Sequence, residues 1–197
     1  MRRTAVAGAA ALALMATGAA RPPATDVLAI AGVTTSGPGC PRGSVLAEAH
    51  GDHFTIIFSA FTATAGPSAT NADLSRQCTV AVRVRLPEKR TFAATAVTQR
   101  GFTDLASGAT ARSKRTFWWS AGPTTSMVLS EYRGPLDTNW ATDDEVATET
   151  GADAPCGGTT TFNAELQLTA SAPRKSSEPA LFTLDSVDGA LSRWSDC

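Results

Sequence analysis

Apolar and polar residues alternate along this chain with a period of two, which is the mark of β-strands that bury one face and expose the other. In "TVAVRVRLP", residues 79–87, Val80, Val82, Val84 and Leu86 point one way, and Thr79, Ala81, Arg83 and Arg85 point the other. "TTTFNAELQLTA", residues 159–170, repeats the pattern with Phe162, Ala164, Leu166 and Leu168 inward and Asn163, Glu165 and Gln167 outward. Further strands are predicted over 44–49, 53–63, 91–99, 109–120, 125–133, 180–187 and 190–196. No segment carries a helical period. Clusters of Gly, Pro, Ser, Asn and Asp at 36–43, 64–76, 121–124 and 171–179 break the strands and supply turns. The pattern predicts an all-β fold, an antiparallel β-sandwich of about 8–10 strands, with a closed barrel as the alternative.

The first residues read differently. Met1-Arg2-Arg3 precedes a run of Ala, Val, Leu, Met and Gly that ends in Gly18-Ala19-Ala20. A positive start, a short apolar middle and a small-residue end make residues 1–20 a secretory signal peptide, short of the roughly 20 strongly apolar residues that a lasting membrane helix needs. Residues 21–197 are then expected to form one secreted, extracellular domain, with no stable membrane insertion and as a monomer. The four cysteines, Cys40, Cys78, Cys156 and Cys197, form an even set in an exported chain and are read as two disulfides.

Three connectivities are open to four cysteines. If strands 44–49, 53–63 and 78–86 form a consecutive meander, Cys40 meets Cys78 at one end of the sheet. If the strand at 159–169 runs antiparallel to the last one, Cys156 meets Cys197. Each bond would close a loop of about 40 residues, worth roughly 4 kcal/mol in the chain-entropy model.

Charge narrows the partners. The sequence has 17 Lys and Arg against 18 Asp and Glu, and without Arg2 and Arg3 the formal charge is −3. That balance gives no reason to expect a nucleic-acid partner. Arg83, Arg85, Lys89, Arg90, Arg112, Lys114 and Arg115 are read as cations of a solvated sheet face.

Candidate chemistry is sparse. Both histidines, His50 and His53, flank Gly51-Asp52, and Gly at the first position of a two-residue loop suits a type II′ hairpin turn. The turn brings the two imidazoles side by side, but two ligands alone make a poor metal site. Residues 134–158 show no strand pattern and read as a long acidic loop carrying Asp137, Asp143, Asp144, Glu145, Glu149 and Asp153. Asp143, Asp144 and Glu145 are therefore candidate calcium ligands, and a carboxylate pair from this loop is what a secreted glycan-active hydrolase would use. No hydrolase triad setting, H-E-x-x-H motif or nucleotide fingerprint occurs, so no catalytic residue and no cofactor are assigned. Trp118, Trp119 and Trp140 are the candidate ligand-binding residues. Adjacent strand residues point to opposite faces, so one of Trp118 and Trp119 belongs in the core and the other turns outward as a platform for a glycan or cell-wall polymer.

Several patches in order, "GPGCPRGSV" at 37–45, "FTIIFSAFTATAG" at 54–66, "QCTVAVRVRLP" at 77–87, "RGF" at 100–102, "YRGP" at 132–135, "DEV" at 144–146, "PCG" at 155–157 and "LDSVDG" at 184–189, resemble the Domain of Unknown Function 4360 family. That family comprises small exported proteins of actinomycetes and filamentous fungi. The resemblance implies export and a cysteine-stabilised β-rich domain, and it brings no catalytic residues. "HGDH" departs from the family's pattern, which argues against a general role for the histidines.

Overall fold

The computed structural model describes residues 27–120, 127–147, 156–174 and 177–197, so the expected signal peptide lies outside the described residues. In chain order the strands are β1 (Ala29–Ser36), β2 (Val45–His50), β3 (His53–Phe58), β4 (Thr62–Ala65), β5 (Ser75–Leu86), β6 (Arg90–Thr91) and β7 (Ala94–Leu105). They continue with β8 (Thr110–Trp119), β9 (Val128–Arg133), β10 (Leu136–Ala147), β11 (Gly158–Ser171), β12 (Ala180–Thr183), β13 (Ser186–Ser192) and β14 (Ser195–Asp196).

All pair antiparallel in a two-sheet sandwich. One sheet has the order β1-β5-β11-β8-β9. In the other, β7 is the long central strand. Its first half pairs with β13, which continues to β3 and β2; its second half pairs with β12, which continues to β4. β10 lies along the opposite edge of β7. The two-residue strands β6 and β14 form a separate clip.

The expected fold class holds, with more strands than the sequence pattern indicates. The predicted strand at 53–63 breaks into β3 and β4, and β1 and β10 are strands where none is predicted. The expected meander is corrected: β2 and β3 belong to one sheet, and β5 lies in the other between β1 and β11. Val80, Val82, Val84 and Leu86 of β5 and Phe162, Ala164, Leu166 and Leu168 of β11 are buried as the alternation requires.

Between the sheets, aromatic side chains cluster among the aliphatic ones. Trp119 packs edge-on to Phe54, Phe92 and Phe162, and Phe117 stacks on Phe162. A second cluster joins Tyr132 of β9, Trp140 of β10 and Phe182 of β12. Gly101 lies opposite Trp140 in the β7–β10 register, and a Cβ there would come within 2.7 Å of the indole. The missing side chain lets Trp140 lie flat over the strand.

Both expected disulfides form, Cys40 with Cys78 and Cys156 with Cys197. Their routes differ from the meander argument. Ser36 of β1 pairs with Thr79 of β5, which sets Cys40, four residues after β1, beside Cys78. Cys156 and Cys197 meet over the turn after β5, where the Gly157 amide donates to the Arg90 carbonyl and the Cys197 amide to the Lys89 carbonyl.

Candidate functional site

The alternation along β8 divides its two tryptophans between faces. Trp119 is 1% exposed, and its indole N–H donates to the Thr95 hydroxyl at 3.1 Å. Trp118 turns to the outer face of the five-stranded sheet and remains partly exposed. Trp119 is thereby a core residue rather than a platform. Trp140 is also interior, its indole N–H held by the Thr183 carbonyl. Of the three tryptophans singled out from sequence, only Trp118 can meet a ligand from solution.

Strand register decides what surrounds it. Trp118 is opposite Asn163 of β11, which is opposite Ala81 of β5. The next row along the sheet is Thr116, Glu165 and Thr79, and the one after that is Lys114, Gln167 and Gln77. These side chains face outward, because each alternates with a buried neighbour on its own strand. Asn163 donates weakly to the Thr161 carbonyl at 3.3 Å, and Gln167 donates to the Ser75 hydroxyl at 2.9 Å, so both amides are oriented by their own sheet. Gln77, Lys114, Thr116, Met127, Glu165 and Gln167 line a shallow depression of about 110 Å³. Asn163, Glu165 and Gln167 are legible as outward positions in the sequence, but their sharing a face with Trp118, with Asn163 directly opposite it, depends on β8 and β11 being neighbours.

A larger opening of about 540 Å³ lies between β1 and the 37–43 turn. It is lined by small side chains and one cation, Arg42, and offers no aromatic surface.

The acidic segment is corrected. Residues 136–147 are a twelve-residue strand, β10, paired with β7 along its whole length. Alternation separates its carboxylates: Asp143 and Glu145 face outward, while Asp144 turns inward to Arg115. Asp143 accepts a hydrogen bond from Thr98 at 2.6 Å, and Glu145 takes Arg193 at 3.1 Å. A calcium site or a hydrolytic pair needs converging oxygens; Asp144 points away from the other two, and Asp143 and Glu145 are each held by a different partner, Thr98 and Arg193. Glu149 and Asp153 lie outside the described residues.

The histidine turn forms as expected, with His50 opposite His53 and Gly51 at φ +65°. Both imidazoles are exposed, and each has its own carboxylate, Glu48 at 3.5 Å for His50 and Asp52 for His53. Among the described residues no group of three or more His, Cys, Asp or Glu side chains gathers to hold a metal ion. No helix among the described residues is long and apolar enough to cross a membrane.

The model of the family described as Domain of unknown function (DUF4360) matches residues 26–197, and the chain belongs to that family. An uncharacterized secreted protein of Arthroderma benhamiae is 27% identical over 189 residues, spanning 91% of this chain and 76% of its own length. Among solved structures, TmCBM61 in complex with beta-1,4-galactotriose aligns at a TM-score of 0.33 and 14% identity, over 81% of this chain and 89% of its own. A structure described as "CBM4 structure and function" aligns at 0.31 and 10%, over 84% and 86%.

Proposed function

We propose that this DUF4360 protein is a non-catalytic glycan-binding module that works outside the cell, with the outer face of the five-stranded sheet as its binding surface. One observation carries the reading: Trp118 stands partly exposed on an outer sheet face, beside the oriented amide of Asn163, with the carboxylate of Glu165 one row and the oriented amide of Gln167 two rows further along. A sugar ring presents a face of C–H groups and a rim of hydroxyls. An indole removes the first from water while amides and carboxylates hydrogen-bond the second, the mixture of apolar surface and a few placed polar groups that small-ligand sites use. Two disulfides and a secreted relative support the extracellular setting.

The test is retention on insoluble chitin, cellulose and peptidoglycan. Trp118→Ala is expected to abolish retention while leaving the melting temperature close to that of the unaltered chain. Retention that survives Trp118→Ala, or no retention of the unaltered chain on any glycan, overturns the reading.

A further inference from the structure

We infer that the ligand of this face is a carboxylated polysaccharide, a polyuronate in chemical class. The inference rests on the glycan-binding reading above and adds the charge of the ligand to it.

The outer face of the five-stranded sheet is basic. β5 places Arg83 and Arg85 there, β8 places Arg112 and Lys114, and β9 places Arg133, against the carboxylates Glu165 and Glu131. Glu131 is taken by Arg112 at 3.0 Å and by Arg133 at 2.5 Å. Arg83, Arg85 and Lys114 are left without an ion-pair partner among the described residues.

The outer face of the opposite sheet has the reverse sign. Glu48, Asp188 and Asp143 stand in one row across β2, β3, β13, β7 and β10, separated by Thr55 and Thr98. Asp104, Asp137 and Glu145 extend that face, and Arg100 is its strand cation. The formal charge of the whole chain is only −1. The charges are therefore sorted by sheet rather than mixed, and a polyanion meets attraction on the Trp118 face and repulsion on the other.

The residue types narrow the class further. A guanidinium presents a planar fork that matches a carboxylate in two parallel hydrogen bonds, and two of the three unpaired cations are arginines. Arg83 and Arg85 share one face of β5, about 7 Å apart along the strand; Trp118 lies two strands away, about 10 Å laterally, in the row of Ala81, which is one row short of Arg83 and two short of Arg85, so a ligand reaching all three crosses the sheet diagonally. A flat chain crossing the strands can stack one ring on the indole while its neighbouring rings present carboxylates to the arginines. A nucleic-acid duplex is the poorer fit, since tight binders there neutralise about 6–10 phosphates, and among the described residues of this face the cations without an ion-pair partner are Arg83, Arg85 and Lys114.

Affinity electrophoresis of the full chain tests this in gels containing polygalacturonate, the same polymer with its carboxyl groups methyl-esterified, or duplex DNA. Polygalacturonate is expected to retard the protein, esterification and added salt to release it, and Arg83→Gln/Arg85→Gln to weaken retardation about tenfold with no change in melting temperature, the loss of two solvent-screened contacts. Equal retardation by the esterified polymer, full retardation of the double variant, or DNA retarding as strongly as the polyuronate overturns the inference. Trp118→Ala separates the two readings. If a neutral glycan is held through Trp118 without regard to carboxyl groups, the charge assignment fails and the platform stands. If polygalacturonate holds Trp118→Ala undiminished, the platform fails and the charge assignment stands. No retardation by any polymer sinks both.

Discussion

Arg115 of β8 and Asp144 of β10 are joined across the interior of the sandwich, Nε to Oδ2 at 2.5 Å and Nη2 to Oδ1 at 3.1 Å, with side chains only 4% and 13% exposed. The hydroxyl of Ser130 accepts a third guanidinium hydrogen bond at 2.8 Å. The pair links one strand of each sheet. A buried ion pair costs its two members their hydration, so removing one partner leaves the other charged with no compensation.

Asp144→Asn is accordingly expected to cost about 3–5 kcal/mol, measured by urea unfolding. Replacing both partners together, as Arg115→Met with Asp144→Leu, should recover most of that loss. A single substitution within about 0.5 kcal/mol of the unaltered chain would show that the pair is not closed in solution.

Trp119→Ala should separate from Trp118→Ala in stability. Trp119 is buried, touches three aromatic rings and donates to Thr95, so truncation leaves a cavity and an unpartnered hydroxyl; a loss of about 3–5 kcal/mol is expected. Trp118 fills no interior space, and its truncation should cost less than about 1 kcal/mol. Equal losses in chemical denaturation would contradict the division of the two indoles between faces.

Gln99 is fully buried on β7, and neither amide atom finds a hydrogen-bond partner among the described residues; nor does the hydroxyl of Thr142, its cross-strand neighbour. A buried amide without partners carries its desolvation cost uncompensated. Gln99→Met, of similar volume, is expected to raise stability by about 1–2 kcal/mol and the melting temperature with it. Destabilisation would mean that the amide is satisfied in solution.

Tyr132 is the single tyrosine, so phenolate absorbance reports it alone. Burial against Trp140 and Phe182 pushes its pKa above the ordinary tyrosine value, and the charge of Arg115 opposes that shift in part. A raised folded-state pKa means that the contribution to stability is complete below the unfolded value of about 10 and is lost as pH rises through the folded value. The native protein should titrate at higher pH than the same protein in denaturant. Tyr132→Phe should flatten that alkaline loss. Coincident native and denatured titrations would refute the burial.

Much of this arrangement was legible one strand at a time. Period-two alternation placed Val80 to Leu86 and Phe162 to Leu168 inward, and it required Trp118 and Trp119 to part, because a pleated strand offers no other geometry. It failed for β10. There the inward positions are Trp140, Thr142, Asp144 and Val146, and a carboxylate among them hides the apolar stripe. Asp144 points inward because Arg115, distant in sequence, waits on the other sheet. No local pattern contains that information.

The two disulfides show the same division. Their partners follow from strand ends meeting, yet the strands that bring them together, β1 with β5 and the β5 turn with the chain's end, are not neighbours in sequence. Alternation tells each strand which side is buried and is indifferent to which strand lies beside it. Register and pairing are set by how two whole apolar faces close on one another. Only that closure put Asn163 beside Trp118, left Arg83 and Arg85 without an ion-pair partner among the described residues of the same face, and put most of the strand carboxylates on the other.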